Sequence, residues 1–344
     1  MQPCLAANEH TTITKNHTIM EKPYVLGIDM GGTGTKFGIV DARGNVLQSS
    51  SIPTPQYPDI NEYCDVLCAE MKKIADAFGG MQNVRGVGGG TPNGNYYTGC
   101  IEFAPNLPWK GVVPFAKLIQ ERMGVPCRIT NDANAAAMGE MTYGAARGMK
   151  NFIEITLGTG VGSGIVIDGK VVYGHDGFAG ELGHTKIVHG PEGRQCGCGQ
   201  RGCIEAYASA TGVARSAKEI IENSTKETSL RKLENITSYD VFKAAEAGDE
   251  VAKEIFDFTG EMLGKKLADF VAFSAPEAII LFGGLTKSGH WIMDPIEKAM
   301  NENVMPLWKN KVKVLVSTLK DSDAAILGAS SLAWDVEAQA PMKG

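Results

Sequence analysis

The densest group of chemically reactive side chains lies in residues 181–205, ELGHTKIVHGPEGRQCGCGQRGCIE. Three of the eight cysteines of the chain fall within eight residues here, and His184 precedes them. Such a segment could hold a metal ion, form a disulfide knot or act as a catalytic loop. One histidine and three thiolates form a recognised zinc set, and a closed shell of four ligands is typical of a structural ion. We therefore predict structural Zn²⁺ at His184, Cys196, Cys198 and Cys203.

Two carboxylates flank these predicted ligands. Glu181 lies three residues before His184, and Glu205 lies two residues after Cys203. A metal ion would fix both acids in space, because neighbours of metal ligands are held by the same loop. Carboxylates accept hydrogen bonds from hydroxyl groups. A sugar is therefore the expected ligand of this surface.

Two glycine-rich turns predict phosphate binding. Residues 29–36, DMGGTGTK, and residues 157–164, LGTGVGSG, each expose backbone N–H groups that no side chain shields, and their threonines add hydroxyl donors. Asp29, at a strand end, could hold Mg²⁺ through water. Either turn alone could be a plain tight hairpin, but their repetition favours phosphate binding. The predicted phosphate residues are Gly31, Gly32, Thr33, Thr35 and Lys36 in the first turn, and Gly158, Thr159 and Gly160 in the second.

A third glycine segment follows a buried apolar run, ILFGGLTKSG, at residues 280–289. Its pair Gly283 and Gly284 would let a purine or ribose approach the backbone closely. A simple turn between a strand and a helix explains the pair equally well.

Asp132 begins an alanine-rich segment, NDANAAAMGE, whose composition predicts a helix. The carboxylate could cap the helix, because it can accept hydrogen bonds from the free N–H groups of the first turn. It could instead accept a proton from a substrate hydroxyl, because the segment lies between the two halves of the chain. The residues alone leave both roles open.

The elements that must position these residues form a repeat. Residues 24–47 and 151–174 each contain an apolar run, a Gly/Thr turn, a second run that includes Gly-Ile-Val, and a third short strand. This duplication predicts two related α/β domains that face each other across a cleft. Helical spacing predicts a helix at 61–78 and two helices within 241–273, interrupted near residues 248–249. Further strands are predicted at 86–88, 127–130, 278–282 and 312–316.

Charge and hydropathy exclude some classes of protein. The formal net charge is −6 and no block of Lys and Arg occurs, so nucleic acid is not an expected partner. No apolar run approaches the roughly 18 to 20 residues that cross a bilayer, and the polar N-terminal segment lacks a signal-peptide core. We expect a cytoplasmic protein without a membrane partner. In that compartment a disulfide framework is disfavoured.

Four motifs together resemble the ROK family of sugar kinases and repressors, and within it the bacterial glucokinases. They are DMGGT at 29–33, NDANA at 131–135, ELGH at 181–184 and CGCGQRGCIE at 196–205. The resemblance extends from about residue 24 to 329. It implies the two-lobed actin-like ATPase (ribonuclease H-like) α/β fold, with duplicated βββαβα-type domains and an interlobe cleft. It also implies ATP with Mg²⁺ as phosphoryl donor, and a homodimer.

Domain boundaries follow from the repeat and from this resemblance. We expect a disordered tail at 1–21, a small lobe at 22–131 and a large lobe at 132–329 that carries the zinc loop and the nucleotide site. A C-terminal helix at about 330–344 is expected to pack back on the small lobe.

The resemblance also assigns roles to individual residues. Asp132 matches the catalytic base, and Phe282-Gly283-Gly284 matches the adenosine segment, where many members have three glycines. His184 is expected to use one ring nitrogen for zinc and the other for the sugar. The residues expected to bind or line the sugar pocket are Gly90, Asn93, Gly94, Asn106, Asn131, Asp132, Glu181, His184 and Glu205.

The expected function is therefore ATP-dependent phosphorylation of the 6-hydroxyl of glucose. Mannose, fructose, N-acetylglucosamine and N-acetylmannosamine are alternative sugars. A non-catalytic sensor or repressor is the main rival, but ROK repressors carry a winged helix-turn-helix before the first glycine turn. Only 28 residues precede Asp29 here, and they lack a helical pattern. A catalytically inactive sugar-binding module is disfavoured because both turns and Asp132 are intact.

Overall fold

A computed structural model of the protein describes residues 22–320 and 323–334. The predicted tail at 1–21 and most of the predicted helix at 330–344 lie outside these residues. Within them, the chain forms two five-stranded sheets, one small hairpin sheet and the helices that cover them.

The first sheet contains the first copy of the repeat. Its three antiparallel strands are followed by two strands that run parallel to the first, in the order β3-β2-β1-β4-β7. The bounds are Tyr24–Met30 (β1), Thr35–Asp41 (β2), Val46–Ile52 (β3), Val84–Gly90 (β4) and Cys127–Thr130 (β7). The hairpin Ile101–Glu102 (β5) and Val112–Val113 (β6) lies between the last two.

The second sheet repeats this topology in the order β10-β9-β8-β11-β12. Again a three-stranded antiparallel meander is joined by two parallel strands. The bounds are Phe152–Leu157 (β8), Val161–Ile167 (β9), Lys170–Val171 (β10), Ala278–Phe282 (β11) and Lys313–Val316 (β12). The predicted α/β fold with a duplicated meander is thus confirmed.

Nine α-helices occur in the described residues, and they include the helices predicted at 61–78, after Asp132 and within 241–273. The predicted break near residue 248 has a clear cause, because Gly248 has φ +88° and Asp249 caps the next helix by accepting from Val251 N (3.1 Å). The bounds are Ile60–Asp76 (α1), Phe115–Met123 (α2), Asp132–Thr142 (α3), Glu205–Ala208 (α4), Ala210–Asn223 (α5), Ser238–Glu246 (α6), Glu250–Ser274 (α7), His290–Asn303 (α8) and Ala324–Ser331 (α9). Short 3₁₀ turns cover Thr54–Gln56, Met81–Asn83, Leu182–His184, Ser229–Lys232 and Gly284–Ser288.

Each sheet has its own hydrophobic core. In the small lobe, α1 and α2 cover one face of the first sheet, and Tyr63 and Phe115 are fully buried there. In the large lobe, α5 to α8 cover the second sheet around residues such as Phe256. No helix in the described parts of the chain is long and apolar enough to cross a membrane.

Two helices lie between the sheets. α3 packs on β8 and β9 of the large lobe and on β4 of the small lobe, while α9 packs on α3, β1 and β4. Val25 and Val40 of the first sheet form an apolar cluster with Ile326 and Leu327 of α9. The end of the described chain therefore returns to the small lobe and, with α3, forms the floor between the lobes.

Candidate active site

A cleft of about 560 Å³ opens between the two lobes. Its walls come from β1 and β4 of the first sheet, from the turn after β8, and from the loop that precedes the cysteines. The predicted site residues that line it are Asp29, Gly90, Asn93, Asn106, Asn131, Asp132, Gly158, Thr159, Gly160, Glu181, His184 and Glu205. Segments far apart in the sequence are thus brought to one surface.

Asp132 lies at the start of α3, where the cleft meets its floor. The helix cap is the neighbouring Asn131, whose Oδ1 accepts from Asn134 N at 2.7 Å. Asp132 accepts from Ala133 N (2.9 Å) and projects into the cleft. The capping role that the sequence allowed for Asp132 therefore belongs to Asn131.

The Asp132 side chain is open to the water of the cleft, yet protein surrounds it on most sides. This desolvation raises the pKa of Asp132 above the ordinary value of 3.8. Burial, helped by the negative charge of Asp132, also raises the pKa of Asp29 to about 6, while Lys36 opposes the shift. Two carboxyl groups with raised pKa values therefore face the same cleft, one from each lobe, which is typical of functional sites.

The three cysteines and His184 come together at the rim of the large lobe. Their four ligand atoms all lie within 4.8 Å of one another, with 3.7 Å between Cys198 Sγ and Cys203 Sγ and 3.7 Å between Cys196 Sγ and His184 Nδ1. A tetrahedral zinc ion with standard bond lengths requires separations of roughly 3.5 to 3.8 Å. The donor set and its spacing therefore fit structural zinc.

The two ring nitrogens of His184 face different partners. Nδ1 faces Cys196, while Nε2 lies 4.0 Å from a carboxylate oxygen of Glu181. Desolvation raises the pKa of Glu181, while His184 opposes the shift. The ring can therefore bind a metal on one side and take part in the polar surface of the cleft on the other.

Glu205 joins the cysteine loop to the second glycine turn. Its Oε2 accepts from Val161 N (3.0 Å), and the Cys196 thiol donates to its Oε1 (3.3 Å). Gly160 packs closely against this side chain, because a Cβ atom there would lie 2.5 Å from Glu205 Oε2. One carboxylate therefore sets the distance between the predicted zinc loop and the predicted phosphate turn.

The first glycine turn is closed by a bond from Gly31 N to Gly34 O (2.9 Å). Gly32 lies against the backbone of Asn106, so this turn and the Asn106 loop are neighbours. The prediction for the Thr35 hydroxyl is wrong. Its side chain is fully buried and shares hydrogen bonds with Thr54 Oγ1 (2.9 Å) and Tyr63 Oη (2.6 Å), so it supports the turn from inside the core.

Several other predicted residues lie beside the cleft and not in its lining. The departure is clearest for Gly94, which is buried against the Thr130 backbone. Gly283, with φ +108°, lies close to the backbone of Leu157 at the end of β8, next to the second turn. The predicted residues absent from the lining are Gly31, Gly32, Thr33, Thr35, Lys36, Gly94, Gly283 and Gly284.

The sequence prediction missed two parts of the cleft. One is an apolar wall in which Leu319, Ala324 and Ala325 join Phe282 of the predicted adenosine segment. The other is its inner end, where Thr156 and Glu140 line the cleft. Glu140 stands eight residues after Asp132, so helical spacing could have placed both on one face of α3. Nothing local marks Leu319 or α9 as part of this wall.

Two α/β lobes with one repeated topology, joined at a cleft with a glycine turn on each side, define an actin-like two-domain ATPase. Within that class the chain belongs to the ROK family, whose model matches residues 25–336.

Characterised relatives match most of the chain. A glucokinase of Halalkalibacterium halodurans is 34% identical over 326 residues, which cover 93% of this chain and 97% of that protein. The crystal structure of a ROK family glucokinase from Streptomyces griseus, in complex with glucose and AMPPNP, superposes with a TM-score of 0.72. It is 34% identical, and the match covers 91% of this chain and 99% of that one. A xylose repressor of Caldicellulosiruptor bescii is 30% identical over 264 residues, or 76% of this chain and 65% of the repressor.

Proposed function

We propose that this protein is an ATP-dependent glucokinase that transfers the γ-phosphoryl group of ATP to the 6-hydroxyl of glucose. The observation that carries the proposal is the position of Asp132. Its carboxylate projects into the cleft between the glycine turns and the polar side chains around His184. A carboxylate with a raised pKa in that position can act as a general base. A glucokinase that is 34% identical to this chain, over 93% of its length, supports the same activity.

In this mechanism Asp132 orients the 6-hydroxyl and takes its proton as the oxygen attacks the γ-phosphorus in line. A base of this kind contributes about 10²- to 10⁴-fold, and positioning and charge neutralisation supply most of the remaining acceleration. The other sugar hydroxyls would bond to polar groups of both lobes. Those groups are Gly90, Asn93, Asn106, Asn131, Glu181, His184 and Glu205.

The nucleotide would lie along the two glycine turns. Backbone N–H groups of Gly31 to Thr33 and Gly158 to Gly160 can bond phosphate oxygens, as phosphate-binding turns do. The adenosine would approach Gly283 and Gly284, and the adjacent apolar wall at Phe282 suits a purine ring. Asp29 would hold Mg²⁺ through water, and the ion would neutralise phosphate charge. Closure of the lobes would exclude water and so limit ATP hydrolysis.

Zinc at His184, Cys196, Cys198 and Cys203 would have a structural role. The four protein ligands leave no open position for a reacting water. In catalysis, the zinc site would hold Glu181, His184 and Glu205 in the orientation that the sugar requires. Glu205 lies two residues after the predicted ligand Cys203 and accepts from Val161 N, which supports this role.

The deciding experiment is ADP release by the purified, zinc-replete protein with Mg-ATP. The sugars are glucose, mannose, fructose, N-acetylglucosamine and N-acetylmannosamine, and the control is Asp132→Asn. We expect strong turnover on glucose and a loss of most turnover in the variant. Preferred turnover on another sugar of the panel would change the substrate and retain the kinase. Sugar binding by calorimetry without turnover on any sugar would favour a sensor, such as the repressor relatives.

The resemblance also suggests a homodimer. Light scattering of the purified protein tests this directly, because a dimer of a 36.7 kDa chain has twice that mass. A monomeric mass at micromolar concentration would contradict it.

A further inference from the structure

The lobes meet at a second place, beside α3, where the Tyr173 hydroxyl lies 3.7 Å from Met138 Sδ of that helix. The segment Asn95–Tyr97, between β4 and β5 of the small lobe, lies against the segment Tyr173–Gly177, after β10 of the large lobe. We call these two segments together the clasp. Its contacts join residues about 80 positions apart in sequence, which are otherwise held by different cores.

Asn95 is the centre of the clasp and is only 2% exposed. Its Nδ2 donates to Asp176 O in the other lobe at 2.7 Å. Its Oδ1 accepts from Tyr97 N (2.9 Å) and Thr98 N (3.3 Å) within its own loop. Gly177 is buried directly against this amide, because a Cβ atom there would lie 2.5 Å from Oδ1. The amide therefore does two separable things: its oxygen shapes the small-lobe loop, and its nitrogen holds the large lobe.

Aromatic rings extend the contact on one side. Tyr96 stacks on Tyr173 with ring centroids 4.0 Å apart and an interplanar angle of 5°. The Tyr97 hydroxyl donates to Gly174 O at 2.9 Å. Two backbone carbonyls of the large-lobe segment are thus held by side chains of the small lobe. The Asn95 bond is partly buried and the Tyr97 bond is more exposed, and together with the stacked rings they fix the geometry of this contact.

Both ends of the clasp lead directly into the proposed sugar pocket. Asn93, which lines the cleft, lies two residues before Asn95, and Glu181, which lines it from the other side, lies four residues after Gly177. The two neighbours of Glu181 in sequence are bonded to β9: the Ser163 hydroxyl donates to Gly180 O and accepts from Leu182 N (3.1 Å). Glu181 is therefore held from the small lobe on one side and from the large-lobe sheet on the other.

We propose that Asn95 and Tyr97 are positioning residues for the sugar. They hold the loop that carries Glu181 against the small lobe, so the walls of the sugar pocket keep a fixed separation whether or not nucleotide is bound. The nucleotide turns lie outside this contact and are free to adjust their separation. This inference rests on the proposed sugar kinase activity and names residues that control its sugar affinity.

Two substitutions of nearly unchanged shape test it. Asn95→Asp keeps an oxygen that accepts from Tyr97 N and Thr98 N but removes the donor to Asp176 O. Tyr97→Phe keeps the ring and removes the hydroxyl. The matched control is Thr98→Ala, in the same loop, because the Thr98 hydroxyl bonds to Glu102 Oε1 (2.8 Å) inside the small lobe and not across the lobes.

Steady-state kinetics are measured with glucose and ATP varied separately, together with melting temperatures with and without glucose. We expect the KM for glucose to rise about 5- to 20-fold in Asn95→Asp, which loses a partly buried hydrogen bond, and about 3- to 10-fold in Tyr97→Phe, which loses a more exposed one. The KM for ATP should change less than about twofold, since the clasp does not touch the glycine turns. Thr98→Ala should match the unaltered protein in both constants. The upward shift in melting temperature caused by glucose should shrink in the two clasp variants.

An unchanged KM for glucose in Tyr97→Phe and in folded Asn95→Asp would overturn the proposal, even if the melting temperature fell. An equal rise of both KM values would also overturn it, since the effect would then be general. If Asn95→Asp does not fold, Tyr97→Phe decides alone. Should the unaltered protein bind glucose in calorimetry without turning it over, the kinase proposal fails and the glucose Kd of the same variants still tests the clasp. Should it bind no sugar of the panel, both proposals fail.

Discussion

The two glycine turns are copies of one sequence pattern, yet the molecule supports them in different ways. The first turn, after β1, rests on a buried hydroxyl network in which Thr35 bonds to Thr54 and Tyr63. The second, after β8, is held by the carboxylate of Glu205 and by α5, whose first residue Ala210 donates to Gly158 O at 2.8 Å. The first turn is therefore anchored in a core, and the second in a loop that also carries the predicted zinc ligands.

This difference shows how a duplicated fold can separate its tasks. A turn anchored in a packed core has little freedom and depends on the stability of its lobe. A turn anchored by Glu205 depends on the cysteine loop, so disturbance of that loop reaches the sugar surface and the phosphate turn together.

The largest effect is expected at Asp132, which lies between the two turns and takes no part in the hydrogen bonds that support either of them. Asp132→Asn should lower kcat by about 10²- to 10⁴-fold, because the general base is lost, and should leave glucose Kd within a few-fold. Because burial raises the pKa of Asp132, the acid limb of kcat/KM should lie above 3.8, and activity should fall as the pH is lowered through it. A near-normal kcat in the variant, or an acid limb of kcat/KM at or below pH 3.8, would show that Asp132 is not the general base.

The next effect concerns the cysteine loop and therefore the second turn. Cys198→Ala removes one ligand of the predicted zinc site and should reduce bound zinc and weaken glucose binding about 10- to 100-fold. Atomic absorption measures the bound zinc, and calorimetry measures the Kd for glucose. Cys100→Ser, a thiol of the small lobe outside the cluster, should change neither. Full glucose affinity in a zinc-free protein would show that the loop does not need the ion.

A smaller effect should separate the two functions of Glu205. Glu205→Gln keeps an oxygen that can accept from Val161 N, so the KM for ATP should stay nearly constant while the KM for glucose rises roughly 10-fold. Glu205→Asp is too short to keep the bond to Val161, so both KM values should rise. Identical behaviour of the two variants would mean that Glu205 does not join the loop to the turn.

The smallest effect is expected under the first turn. Tyr63→Phe removes the hydroxyl that bonds to Thr35 and keeps the buried ring, so it should lower the free energy of unfolding by about 1 kcal/mol. The KM for ATP should rise less than about threefold, and the KM for glucose should not change. Tyr239→Phe, at a residue 65% exposed, is the control for loss of a tyrosine hydroxyl. A rise in the KM for ATP as large as that in Glu205→Asp would show that the two turns do not differ in how they are supported.

Much of the fold could be predicted because its signals are local. The repeated Gly/Thr turns between apolar runs predicted both meanders, and Gly248 with the capping Asp249 predicted the break between α6 and α7. The motif residues that line the cleft could be predicted for the same reason, since a repeated glycine turn and a dense Cys/His cluster are local patterns.

The errors arose where a side chain's direction depends on distant partners. Thr35 follows the same turn as Thr33, but the pairing of β2 with β3 and the position of α1 turn its hydroxyl into the core. Asn131 and Asp132 are adjacent and chemically similar. Asn131 caps α3 because its backbone is still extended (φ −69°, ψ 163°) and Asp132 is the first helical residue, and neither residue type decides where the helix begins.

The amino-acid sequence by itself determined the repeated architecture, the phosphate-type turns and the likeness to ROK proteins, because period, turn chemistry and motif spacing are properties of short segments. The tertiary structure alone decided that Phe282, Leu319 and α9 form one wall, that Glu205 joins the cysteines to the second turn, and that Asn95 reaches the other lobe. The contact of Asn95 with Asp176 joins residues 81 positions apart, and the wall of the cleft includes residues of α9, near the end of the described chain. Their partners become neighbours only after two separate cores have packed, and no local pattern records that event.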